Sequence, residues 1–128
     1  MSDLRIGQVA QLLSVSTDTI RTWIDDGRIL SSRTDGGHRT IKGVDLATFL
    51  KKSESDPSIA NHLSARNRFL GLVTNVKKDN VMTQVEIQAG GQRIVSLIST
   101  EAAEAMNLGP GVIATAVIKS TNVVVELP

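Results

Sequence analysis

The chain has 128 residues, with 14 Lys+Arg against 13 Asp+Glu, two His and no Cys, and 41% of its residues are apolar. That is enough for one ordinary domain or two small ones, and it excludes wholesale disorder, a disulfide framework, thiolate metal sites and a cysteine nucleophile. No apolar run approaches a membrane span, residues 1–20 lack a signal peptide's basic start, and 2% aromatics offer no stacking platform for single strands, so a cytoplasmic protein without a membrane partner is expected.

Composition shifts along the chain. Three of its 13 valines lie in residues 1–63 and ten in residues 64–128, so helices are expected first and strands afterwards. Residues 1–53 carry a net charge of +2 and the remainder −1. The joint is Ser53-Glu54-Ser55-Asp56-Pro57-Ser58, polar and broken by a proline. An α+β chain of two small domains is expected: residues 1–53, a linker over 54–63, and residues 64–128.

In the first half, Ile6, Val9, Ala10 and Leu13 share one face of a short helix. Ser14-Val15 turns the chain, and Ser16 is a good N-cap for a second helix that buries Ile20, Trp23 and Ile24 and stops at Gly27. This is a helix-turn-helix. Its second helix presents Thr17, Thr19, Arg21 and Thr22 where a recognition helix would enter a major groove. Arg28-Ile29-Leu30 reads as a strand, Thr34-Asp35-Gly36-Gly37 as a tight turn, and His38-Arg39-Thr40-Ile41 as the returning strand. The hairpin carries Arg28, Arg33, Arg39 and Lys42 against Asp35 alone, a basic wing suited to double-stranded DNA. A last helix over about 43–52 packs Leu46, Phe49 and Leu50. Trp23 shares a face with Ile20 and reads as core. His38 fits either a DNA contact or a hydrogen bond within the turn.

Thr19-Ile20-Arg21-Thr22-Trp23 and Gly36-Gly37-His38-Arg39 resemble the MerR-type and excisionase-type winged-helix family over about residues 4–52. The resemblance implies phosphate and groove contacts from Arg21, Thr22, Arg33, His38 and Arg39. MerR regulators dimerise through a long helix after the winged domain; here the chain reaches Asp56-Pro57 instead, so dimerisation must come from elsewhere.

In the second half, Phe69–Val76 reads as a strand closed by Lys78-Asp79-Asn80. Val81, Val85, Ile87 and Ala89 read as the buried face of the next, and Gly90-Gly91 as a hairpin into Arg93–Ile98. Ser99 caps a short helix through Met106, ended by Leu108-Gly109-Pro110-Gly111. Val112–Lys119 and Asn122–Leu127 supply two further strands. Five strands and one helix suggest a small OB-like β-barrel, marginal at that size unless buried against a second subunit. No catalytic constellation, metal-ligand spacing or nucleotide loop is visible, so no enzyme and no metal-cation or nucleotide cofactor is expected. Ser64-Ala65-Arg66, Ser99 at a helix start, and Lys119-Ser120 at a strand end suit an anion. By spacing alone, a solvated Arg, a helix cap and a strand-end Lys are the better reading of these residues.

Ser64-Ala65-Arg66-Asn67 with Gly71, then Ile98-Ser99, Leu108-Gly109, Gly111 and Ile118-Lys119-Ser120, closely resemble the Mop (molbindin, TOBE) family across residues 64–128. The resemblance implies molybdate or tungstate bound at subunit interfaces. Its site would comprise Ser64, the Ala65 backbone, Arg66, Ser99, the Ala102 backbone, Lys119 and Ser120. The family commonly has Thr where Ser99 stands, which keeps the hydroxyl, and often Ser where Ala102 stands, so one side-chain donor is lost.

Together these imply an oxyanion-responsive transcriptional regulator: a winged helix on DNA and a Mop domain assembling as a dimer or trimer of dimers. A ligand shifts DNA affinity only by its differential affinity for two arrangements of the subunits. A flexible linker of about ten residues would span roughly 17 Å and decouple the domains, so the switch requires an ordered linker, held through Ile59 and Leu63. The rivals are a molbindin-like storage protein, and a DNA-binding protein using its Mop domain only to oligomerise.

Overall fold

The computed structural model of the chain describes residues 3–52 and 65–128. The expected linker, with Ile59 and Leu63, lies outside the described residues, as does Ser64. The described residues form two compact units, one on either side of that gap.

The first unit opens with a short strand, β1 (Asp3–Arg5), followed by α1 (Ile6–Leu13) and α2 (Thr17–Asp25). Ser14 closes α1 in the left-handed region at φ 54°, and the Val15 N–H donates to the Ala10 carbonyl at 3.1 Å. This tight cap sets the second helix across the first. Ser16 Oγ accepts from the Thr19 N–H at 3.1 Å, the expected N-cap. At the far end Gly27 takes φ 78°, its N–H donates to the Ile24 carbonyl, and the Arg28 N–H reaches back to Trp23. That paired closure is a Schellman motif, which only glycine enters without strain.

Two strands, β2 (Ser32–Arg33) and β3 (Arg39–Lys42), form the wing, and α3 (Gly43–Lys52) follows. Sheet order is β1-β3-β2, antiparallel throughout. Three details differ from expectation. Arg28-Ile29-Leu30 is not a strand; Ile29 is a buried plug whose neighbours are not laddered, and the strand begins at Ser32. β1 was not foreseen, because three residues show no period; its register, Leu4 opposite Ile41, makes it the outer partner of β3. The core is Val9, Ala10, Ile20, Ile29, Ile41 and Leu46, with Trp23 and Phe49 stacked at 5.1 Å against it. Leu50, expected in the core, is 40% exposed.

The second unit is a curled antiparallel sheet of β4 (Asn67–Lys78), β5 (Met82–Ala89), β6 (Gln92–Ser99) and β7 (Ile113–Ile118), with α4 (Thr100–Ala105) between β6 and β7. Strand order is β6-β5-β4-β7. β4 pairs with β7 through residues 67–72 and with β5 through residues 72–78, with a register shift between Val73 and Asn75. One long strand serving two partners at different ends must bend, and the sheet curls into a half-barrel. Gly71 sits at the bend. A Cβ there would meet the Gln88 carbonyl oxygen, with Ile87 Cγ2 at 2.8 Å and Ala89 Cβ at 2.9 Å. Gly90 (φ 55°) and Gly91 (φ 81°) make the two-residue hairpin between β5 and β6, both central positions left-handed as a type I′ turn demands.

The inward face of β5 is Thr83, Val85, Ile87 and Ala89; Val81, expected there, precedes the strand and is 70% exposed. Thr83 escapes notice as core because it is polar. Its Oγ1 lies 2.8 Å from Thr100 Oγ1, and Thr100 donates onward to the Asp79 carbonyl at 2.9 Å, so no buried hydroxyl is wasted. Asn122–Leu127 is not a strand. After a 3-10 turn over Ser120–Asn122 the chain runs on outside the sheet formed by the described residues, with Val124 91% and Leu127 90% exposed. Among the described residues the sheet of this unit has four strands, where five were expected.

Candidate functional site

Two surfaces collect the residues singled out by sequence, one in each unit. On the first, the tip of the wing is a turn in which the Gly37 N–H donates to the Thr34 carbonyl at 2.8 Å and Gly37 takes φ 81°. The His38 N–H donates to Thr34 Oγ1 at 3.2 Å, so it is the backbone of His38 that serves the turn. Arg33 Nη1 donates to the Gly37 carbonyl at 2.9 Å, which holds that guanidinium along the tip. Arg39, nearer the wing base, reaches α2 and bonds Asp25 Oδ1 at 3.1 Å.

On α2, Thr17, Arg21 and Thr22 are exposed. Thr19 is half-buried, with its hydroxyl 2.9 Å from Ser16 Oγ. The Thr22 hydroxyl donates to the Asp18 carbonyl at 2.9 Å, and Arg21 Nη1 lies 3.2 Å from Asp18 Oδ1. Thr17 and Arg21 lie one turn apart on α2, the Arg21 guanidinium already engaged by Asp18. The wing, α2 and the start of α1 enclose an open basin of about 490 Å³ lined by Arg5, Arg21, Arg33, His38 and Arg39, with Asp25 on its wall. Arg5 went unnoticed in the sequence. Its signal was available: it directly precedes the first periodic residue of α1, and its N–H is held by Gln8 Oε1 at 2.9 Å.

On the second unit, the last β4–β7 pair is Asn67 opposite Ile118, reinforced by Asn67 Nδ2 donating to the Ile118 carbonyl at 3.1 Å. One step outward along the two chains stand Arg66 and Lys119, and one further Ala65 and Ser120. Arg66, Lys119 and Ser120 are exposed and Ala65 is half-buried. The structure thus gathers four of the predicted residues at one end of the sheet. Ser99 ends β6 opposite Met82, beside the Lys78–Thr83 pair that ends β4. By register, Ser99 and Ala102 lie at the other end of β4, a strand whose 12 residues would measure about 40 Å if straight. Ser99 Oγ accepts from the Ala102 N–H at 3.1 Å. That amide orients the Ser99 hydroxyl, whose own proton remains available to an acceptor. Among the described residues no group of His, Cys, Asp or Glu is placed to hold a metal ion, and no helix is long and apolar enough to cross a membrane.

The described residues thus comprise a winged helix-turn-helix unit and a curled half-barrel unit. Residues 63–125 match the TOBE domain model and residues 5–41 the model of MerR family regulatory proteins. The chain is 41% identical over 64 residues to molybdenum-pterin-binding protein 1 of Clostridium pasteurianum, covering 49% of this chain and 94% of that one. It is 29% identical over 104 residues to molybdenum-pterin-binding protein MopB of Rhodobacter capsulatus, covering 78% of this chain and 38% of that one. Among solved structures it is similar to ModG, a cytoplasmic molybdate-binding protein determined with molybdate bound. There the identity is 39% and the TM-score 0.50, over 52% of this chain and 48% of that one. The chain belongs to the TOBE, or Mop, family and carries a MerR-family region before it. These are binding and regulatory families rather than enzyme families.

Proposed function

We propose that the chain is a cytoplasmic, molybdate- or tungstate-responsive transcriptional regulator. In this reading residues 1–53 bind double-stranded DNA, residues 54–63 link, and residues 64–128 hold the oxyanion between copies of the chain. The observation that carries the ligand site is the β4–β7 register. It brings the ends of the two strands together at Asn67 and Ile118, so that Arg66 and Lys119 both follow at that end of the sheet. In this reading the two cations balance a dianion, and Ser120, Ser99 and the Ala65 amide supply donors for its remaining oxygens. Ser99 and Ala102 come from the far end of the sheet, so a second copy supplies them.

Assembly has its own support. The concave face of the half-barrel is an apolar groove of about 480 Å³ that includes Ile98, Leu108 and Ile118, and Val124, Val125 and Leu127 are almost wholly exposed. A single copy leaves both unburied. The DNA reading rests on the arginine-lined basin between α2 and the wing.

The experiment is a pair of titrations on the full chain. Calorimetry with molybdate, tungstate and sulfate measures the site, and duplex binding with and without the bound oxyanion measures coupling. Oxyanion binding that leaves DNA affinity unchanged would favour the storage reading. In its favour, the β unit by itself accounts for nearly the whole of the Clostridium relative.

A further inference from the structure

Among the residues lining the basin of the first unit, Asp25 is the sole carboxylate facing four guanidinium groups, those of Arg5, Arg21, Arg33 and Arg39. It pairs with Arg39 at 3.1 Å across fourteen residues of chain, and the Arg39 side chain is 27% exposed against 65% for Asp25. Helix stability gives no reason for an acid here. Asp25 ends α2, where the helix dipole disfavours negative charge, and Asp26 follows it. Exposed ion pairs also add little to folding. What the pair changes is the charge of the surface: Arg21 is already paired with Asp18 on its own helix, and Asp25 neutralises a second of the four guanidinium groups before any phosphate arrives.

Resting on the reading of this face as a DNA surface, we propose that Asp25 is a brake on phosphate binding. It occupies Arg39 in the free protein and lowers affinity for duplex of any sequence. Occupancy of a site then depends more on the contacts made by α2 than on the wing's charge. Non-specific affinity comes from the number of phosphates neutralised, and each additional one steepens the salt dependence by about 0.9 in log–log slope. Freeing Arg39 adds one.

The test uses the full chain, a mixed-sequence duplex of about thirty base pairs and fluorescence anisotropy between 50 and 200 mM salt. Asp25→Asn, isosteric and uncharged, should bind at least threefold tighter at 50 mM. Its advantage over the wild type should shrink by about threefold at 200 mM, the consequence of one extra phosphate contact. Arg33→Ala should weaken binding in the same assay. Asp25→Asn with wild-type affinity and slope, while Arg33→Ala weakens binding, overturns the brake and leaves the DNA reading standing. Asp25→Asn weaker than wild type also overturns it, making Asp25 a positioning residue for Arg39. No salt-dependent binding by the wild type or by Asp25→Asn overturns the DNA reading itself.

Discussion

At the scale of single residues, charge neutralisation dominates. Arg66 and Lys119 stand one step beyond the Asn67–Ile118 pair. Truncating either leaves a bound dianion half-compensated, and losing a charged partner of this kind costs about 2–5 kcal/mol. Arg66→Ala and Lys119→Ala are each expected to weaken molybdate binding at least tenfold with the melting temperature unchanged; calorimetry giving wild-type affinity for both removes the site. Sulfate should bind more weakly, because donors spaced for the larger tetrahedral anion cannot all close on a smaller one. A second charge effect concerns stability. The Arg93 guanidinium, hydrogen-bonded to Glu86 across β5 and β6, holds the Glu86 carboxyl below its ordinary range, and the Met82 and Val81 amides do the same for Asp79. A carboxyl whose folded pKa is depressed contributes stability that is full above its unfolded pKa and is lost as pH falls through the folded one. Unfolding midpoints should therefore fall below about pH 4, and less steeply in Glu86→Gln. Identical acid profiles for the two chains would show that the pair has no net effect.

At the scale of elements, two backbone positions are decisive. Gly71 lies where β4 bends from β7 to β5, with no room for a Cβ beside Gln88. Gly71→Ala must push the strands apart; a loss of more than about 2 kcal/mol is expected, in line with overpacking of a fixed core, read from denaturant unfolding. Ser14 holds a left-handed conformation that costs a side chain about 1 kcal/mol. Ser14→Gly should therefore stabilise the first unit slightly, and a lower melting temperature would contradict that. Local grammar made most elements legible. The Ser16 cap, the Gly27 stop, the Gly90-Gly91 hairpin and the Ser99 cap all stand where their residue types require. It failed where burial depended on partners. Thr83 faces inward because Thr100 receives its hydroxyl, while hydrophobic Val81 stays outside the strand.

For the whole molecule, the exposed apolar run after the 3-10 turn is the feature that one copy leaves unsatisfied. Val124, Val125 and Leu127 are 85–91% exposed. Burying such side chains is worth about 1.5–3 kcal/mol each, so association of copies is expected. Light scattering should find dimers or larger closed assemblies. A chain lacking residues 123–128 should dissociate at higher concentration than the full chain, and a full chain that stays monomeric at millimolar concentration would contradict the shared site as well.

The helix-turn-helix, the basic wing, the shift from helices to strands and both motifs that carry cations were legible in the order of residues alone. Each depends on a period, a cap, a turn glycine or a charge count, and all of these are local. Only the tertiary structure decided what those segments meet. Asp3–Arg5 became a strand because β3 offered an edge. Arg28–Leu30 did not, because Ile29 was needed as a plug in the core. Asn122–Leu127, valine-rich as any strand, joined no sheet among the described residues. Asp25 and Arg39 came together across a hairpin, and Asn67 and Ile118 across a long strand pairing. The reason is the same in each case: a strand, a buried hydroxyl or an ion pair is defined by a neighbour distant in sequence, and a local pattern carries no record of that neighbour.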